Sequence, residues 1–171
     1  NDNSVDAVSV CTSNVTHASI AIEALSKGKH VLCEKPMAVT MEDCLKMGEA
    51  AKAFNRVLMI GHNQRFAPAH VKAKELLKNG GLGRPITFRT TFGHRGPEFW
   101  SADKSVKTWF FRKNSAFLGA AADLGIHKLD LIMWLLDDSV DTLSAYVETL
   151  DKKDAEGKLI SVDDNMVCCM K

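Results

Sequence analysis

The 171-residue chain balances 22 lysines and arginines against 21 aspartates and glutamates, so it lacks the basic excess that steers a protein to nucleic acid or acidic lipid. With 46% hydrophobic and 25% charged residues it has the composition of a globular protein able to bury a core, and no apolar run approaches the roughly 18 residues of a membrane span. The five cysteines, Cys11, Cys33, Cys44, Cys168 and Cys169, are odd in number and show neither a CxxC pair nor metal-ligand spacing, which argues against a disulfide framework or a metal centre and for a reducing, cytoplasmic compartment.

Val5–Cys11 is a short β-branched run that reads as a buried strand, followed at once by Thr12, Ser13 and Asn14. In an α/β sheet, ligands collect at this edge, where strand ends and helix N-termini converge. His17–Lys27 follows a helical pattern closed by Gly28, and by spacing alone His17 reads as an exposed polar residue in the first turn. His30–Glu34 is a second strand, and Pro36 keeps Lys35 extended, which aims one cation at the same edge. Thr40 reads as the N-cap of a helix over Met41–Phe54, with Glu42 and Asp43 complementing its dipole. Arg56–His62 contains the third strand, with Asn63, Gln64 and Arg65 at its end, and Pro68–Lys78 reads as a third helix. The glycines that follow it, in NGGLG, stop a helix and are not a phosphate loop, because no helix starts after them.

The period changes after Gly83, which is the expected domain boundary. Pro85–His94 alternates apolar and polar residues as a half-exposed antiparallel strand would. Gly96–Leu118, with Trp100, Trp109 and several phenylalanines, has no regular period and reads as an ordered loop lying over something. In Gly119–Trp134, Asp123, His127 and Asp130 fall at i, i+4 and i+7, one stripe on an otherwise apolar helix. A carboxylate and an imidazole one turn apart at a buried helix start are either a satisfied internal hydrogen bond or an acid/base site. Thr142–Leu150 and Ser161–Lys171 read as strands around a charged turn at Asp151–Lys158.

Thr12-Ser13-Asn14 with His17, Glu34-Lys35-Pro36, GHNQRF at Gly61–Phe66, and Asp123-x-Gly125-x-His127-x-x-Asp130, in this order and spacing, resemble the Gfo/Idh/MocA family of nicotinamide-dependent oxidoreductases. The resemblance implies an α/β fold: the C-terminal half of a Rossmann domain over 1–83, then part of a substrate domain with an open, mainly antiparallel sheet over 84–171. It implies NAD or NADP as cofactor, held by Thr12, Ser13, Asn14, His17, Glu34, Lys35, Asn63 and Arg65. It also implies catalysis by Lys35, Asp123 and His127, with His127 as base, Asp123 orienting the imidazole and Lys35 stabilising the alkoxide. A sugar or polyol substrate is the family's usual range, with His94, Arg95 and Trp109 available for its hydroxyls, and a homo-oligomer through the second-domain sheet is expected. A cis peptide is implied at Lys35–Pro36. Two alternatives stand beside this one: a non-catalytic dinucleotide sensor, which would be expected to lose Lys35 or His127, and NAD-assisted glycoside cleavage, which uses the same first hydride step. Ser13 stands where relatives often have proline, and Ala120-Ala121 where they have a glycine run. No G-x-G-x-x-G follows a strand, so the sequence reads as an internal segment of a protein roughly twice as long, which alone should bind cofactor poorly.

Overall fold

The computed structural model describes residues 2–171. Three parallel strands, β1 (Ala7–Val10), β2 (His30–Cys33) and β3 (Leu58–Ile60), lie side by side in that order. Val10 stands beside Cys33, and Cys33 beside Ile60. This register brings the residues after all three strands to one edge of the sheet, because parallel strands joined by helices share their direction. Helices α1 (His17–Ser26) and α2 (Met41–Ala53) make the return crossings, Thr40 capping α2 by accepting the Asp43 N–H at 3.1 Å. Gly28 turns the chain out of α1 at φ +76°, which glycine adopts without steric penalty.

One face of this sheet is dry. Val10, Val31 and Cys33 pack with Ala18, Ala21 and Leu25 of α1 and Met47 and Ala50 of α2. The opposite face is uncovered among the described residues, with Leu32 and Met59 exposed. The expectation of a buried first strand is therefore met only at Val10.

After β3, helix α3 (Pro68–Lys78) packs on a later helix, α5 (Ile126–Leu136), and Lys74 Nζ donates to the Trp134 carbonyl at 2.5 Å, serving the carbonyls that α5 leaves unpaired at its end. A one-turn helix, α4 (Lys113–Ala116), lies against the turn that begins at Asn14. There the buried Asn14 Nδ2 donates to the Ala116 carbonyl at 2.9 Å, tying the two parts of the chain together. Strands β4 (Leu143–Glu148) and β5 (Asn165–Met170) form an antiparallel pair. No helix among the described residues is long and apolar enough to cross a membrane.

Two expectations are corrected. Residues 85–94 join no sheet among the described residues: Ile86 is 92% exposed, and Phe92 instead turns its ring edge-on to His127 at 5.8 Å. Alternation marks a segment suited to a half-covered sheet, but a strand also requires a neighbour for its backbone hydrogen bonds. The expected helix from Asp123 begins instead with a π turn, Ala121–Gly125, before regular α-helix resumes at Ile126. A π turn bonds each N–H five residues back, so side chains on either side of it are rotated away from an ideal stripe.

Replacing Asn14 by Ala should lower unfolding stability by about 1–3 kcal/mol, because the buried Ala116 carbonyl loses its partner. Chemical denaturation of the two proteins, compared at equal slope, measures this.

Candidate active site

The site is assembled where the strand ends meet the start of the helical run 120–136. Lys35, held at the end of β2, reaches across to the π turn. Its Nζ donates to Asp123 Oδ1 at 2.6 Å and to the Asp123 carbonyl at 2.9 Å, both side chains being about 15% exposed. An ammonium has three protons, so one N–H remains for a ligand. The Lys35–Pro36 peptide is cis.

His127 lies one turn on. Burial, and next the positive charge of Lys35, hold its imidazole below the ordinary histidine range, with Asp123 opposing them. Its Nδ1 is enclosed without a hydrogen-bond partner among the described residues. Asp123 makes no hydrogen bond to it, so the expectation that Asp123 orients the imidazole is corrected: the carboxylate orients Lys35, because a cation is the stronger partner for a buried anion. At the far end of the stripe Asp130 receives a bidentate bond from Arg65 and lies 3.6 Å from His62 Nε2. Burial also pushes His62 below its ordinary range, and its Nδ1 too is enclosed and unpartnered.

Beside Asp123 opens a cavity of about 70 Å³, lined by His94, Phe110, Lys152, Asp163 and Asp164 among others. His94 Nδ1 accepts the Gly96 N–H at 3.0 Å, which places the proton of the neutral ring on Nε2, 3.7 Å from Asp123 Oδ2. Trp100 meets both His94 and Phe110 edge-on, with centroids 5.6 and 5.0 Å away. Trp109 stacks on Phe110 at 3.8 Å and does not itself line the cavity. The Arg95 guanidinium lies over Phe99 at 3.9 Å. Opposite, Lys152 pairs with Glu98 and donates to the Arg95 carbonyl. Although burial works against its ionisation, Asp164 is held below the usual carboxylate range by the N–H groups of Leu150, Asp151 and Lys152, which fix that wall.

Lys35, Asp123, His127 and His94 thus converge. Thr12, Glu34 and Asn63 stand exposed at the strand ends, with Ser13 half-buried. Asn14, His17 and Arg65 are engaged by the protein. His17 is 1% exposed and not the exposed residue expected, because its Nδ1 lies 2.7 Å from the Pro36 carbonyl and its Nε2 3.1 Å from that of Thr12, bridging two of the strand-end loops. Sequence reasoning missed His62, Phe110, Lys152, Asp163 and Asp164. His62 stood at a strand end and could have been found; the others come from loops far along the chain, with no local signal.

The model of an oxidoreductase family with an NAD-binding Rossmann fold matches residues 1–62, and that of the Gfo/Idh/MocA C-terminal domain matches residues 70–171. The chain belongs to the Gfo/Idh/MocA family. Among curated relatives, levoglucosan dehydrogenase of Pseudarthrobacter phenanthrenivorans is 38% identical over 138 residues, covering 80% of this chain and 34% of that protein. Inositol 2-dehydrogenase 3 of Saccharopolyspora erythraea is 35% identical, covering 80% and 36% respectively. The solved structure of levoglucosan dehydrogenase in complex with NADH and levoglucosan superposes with a TM-score of 0.88 at 34% identity, over 99% of this chain and 45% of that one. The chain therefore spans less than half the length of these relatives.

The His127 ring should titrate below the ordinary value of about 6.5, and Lys35→Met should raise its midpoint by removing a neighbouring cation. Histidine ring resonances followed by NMR across pH check both directions.

Proposed function

We propose that this chain carries the catalytic centre of an oxidoreductase that moves a hydride between NAD or NADP and a secondary alcohol carbon of a sugar, polyol or related compound. The observation that carries the reading is a lysine bound to a carboxylate, with one N–H to spare, beside an imidazole whose burial pushes it below the ordinary histidine range. Relatives named as levoglucosan dehydrogenase, inositol 2-dehydrogenase and 1,5-anhydro-D-fructose reductase support it. In this reading residues 1–83 are the C-terminal half of the dinucleotide-binding domain, and 84–171 are part of the substrate domain. The half-covered parallel sheet supports that division. We further propose a cytoplasmic homo-oligomer that associates through the second-domain sheet, where Tyr146 is 78% and Val167 64% exposed.

The residues present fit the nicotinamide end of the cofactor, since Lys35 keeps a free donor there and Thr12, Glu34 and Asn63 are open at the strand ends. When bound, the nicotinamide supplies the hydride acceptor or donor. The chain's own residues manage the proton. In the oxidative direction the substrate hydroxyl gives its proton to His127 Nε2, because Nδ1 is enclosed. The remaining Lys35 N–H donates to the same oxygen as it gains negative charge, and Asp123 keeps that ammonium in place. His94, which lines the cavity, is available to donate its Nε2–H to a further hydroxyl.

In the full-length protein, His127→Ala should lower kcat by roughly 10²- to 10⁴-fold with little change in cofactor affinity. Asp123→Asn should also lower kcat, through Lys35. For the unsubstituted enzyme, kcat/KM should fall as pH drops through the depressed His127 midpoint, since the protonated ring cannot accept a proton. Steady-state NAD(P)H formation with a panel of sugars and polyols measures all three, and near-normal kcat in His127→Ala would show that the imidazole is only structural.

A further inference from the structure

The first N–H groups of a helix have no partner inside it. In the helical run that carries Asp123 and His127, three such groups go to a single residue more than forty positions away. Gly119 N–H donates to Asp163 Oδ1 at 2.7 Å, Ala121 N–H to Asp163 Oδ2 at 2.7 Å, and Ala120 N–H to the Asp163 carbonyl at 2.9 Å. Asp163 is 7% exposed, and no cation pairs with it among the described residues. Its buried charge is therefore met by backbone N–H groups and the positive end of the helix dipole.

The joint is too tight for a side chain. A Cβ at Gly119 would stand 1.8 Å from the Asp163 carbonyl oxygen and 2.9 Å from its carbon, both of them backbone atoms that cannot swing away. Two residues into β5, on the other side of the turn, Met166 covers Gly125 so closely that a Cβ there would lie 2.4 Å from its Cε. The segment 163–166, which leads into β5, thus grips the π turn at both ends, and between them stands Asp123.

We propose that Asp163 is a positioning residue for the reaction: by bonding the three N–H groups that open the catalytic helix, it sets the rotation of Asp123 and His127 against Lys35. This rests on the oxidoreductase reading above. Asp163 borders the cavity, but both of its carboxylate oxygens are spent on backbone donors, so it acts through the helix and not on the ligand.

The test uses the full-length protein. In Asp163→Asn an amide nitrogen faces a backbone N–H that it cannot accept. Hydrogen exchange over 119–125 should quicken while α2 stays protected, and the His127 midpoint should rise as water enters and Lys35 slackens. Turnover should fall about 10- to 100-fold in kcat, the scale of a small misplacement of reacting groups, with cofactor KM within about twofold. Gly119→Ala presses on the same joint from the other side and should produce the same signature. The double variant should be little worse than either single one, because both act on one contact. The proposal is overturned if exchange quickens with kcat and the His127 midpoint unchanged, if kcat falls with exchange unchanged, or if the two substitutions add. Exchange and His127 titration decide it without turnover, whereas failure of the unsubstituted protein to oxidise or reduce any sugar or polyol with NAD(P) counts against the oxidoreductase reading alone.

Discussion

The interaction on which the site depends is the bond between Lys35 and Asp123, partners 88 residues apart. Each is largely withdrawn from water, and a charge so placed must be paired. The lysine sits just past the end of a parallel strand and the aspartate on the first turn of a helix in the second half of the chain, so satisfying the pair also sets how the sheet edge meets that helix. Two other contacts hold the same junction: Asn14 on the Ala116 carbonyl and Arg65 on Asp130. All three join a residue just past a strand of the first sheet to a residue of the second half of the chain.

Along the helix this produces a division of labour that a bare stripe of polar residues would not have. The carboxylates of Asp123 and Asp130 flank His127, and each is taken by a cation, Lys35 on one side and Arg65 on the other. The Asp123 carboxylate by itself favours the charged form of the ring. Here burial, and next the nearby ammonium, outweigh it and hold the ring below the ordinary histidine range. The same arrangement leaves one N–H of Lys35 free beside the imidazole.

The opposite wall is built on adjacent carboxylates just before β5. Successive residues of an extended chain point to opposite sides. Asp163 serves the helix start and Asp164 the 150–152 segment that bears Lys152, so one short stretch fixes two sides of the cavity. Glycine at 119 is what lets the chains come that close.

Much of this was written locally. The three strands, their helices, the Thr40 cap, the Gly28 stop and the β4–β5 pair follow from period, capping and turn chemistry, which act over a few residues. The candidates Lys35, Asp123 and His127 were legible because each sits at a strand end or helix start within a short motif. The partner of each side chain was not. Spacing alone put Asp123 with His127, whereas the folded chain gives it to Lys35; an exposed His17 became a buried bridge between two loops; and residues 85–94 had the alternation of a strand without a neighbour to complete it. The π turn, Asp163, Asp164 and Lys152 left no local trace. Sequence by itself determined which elements form and which chemical groups stand at their ends, because those choices rest on neighbours a turn or a strand step away. Which charge meets which was decided only by tertiary structure, because pairing buried ions depends on distances between segments that no local pattern encodes.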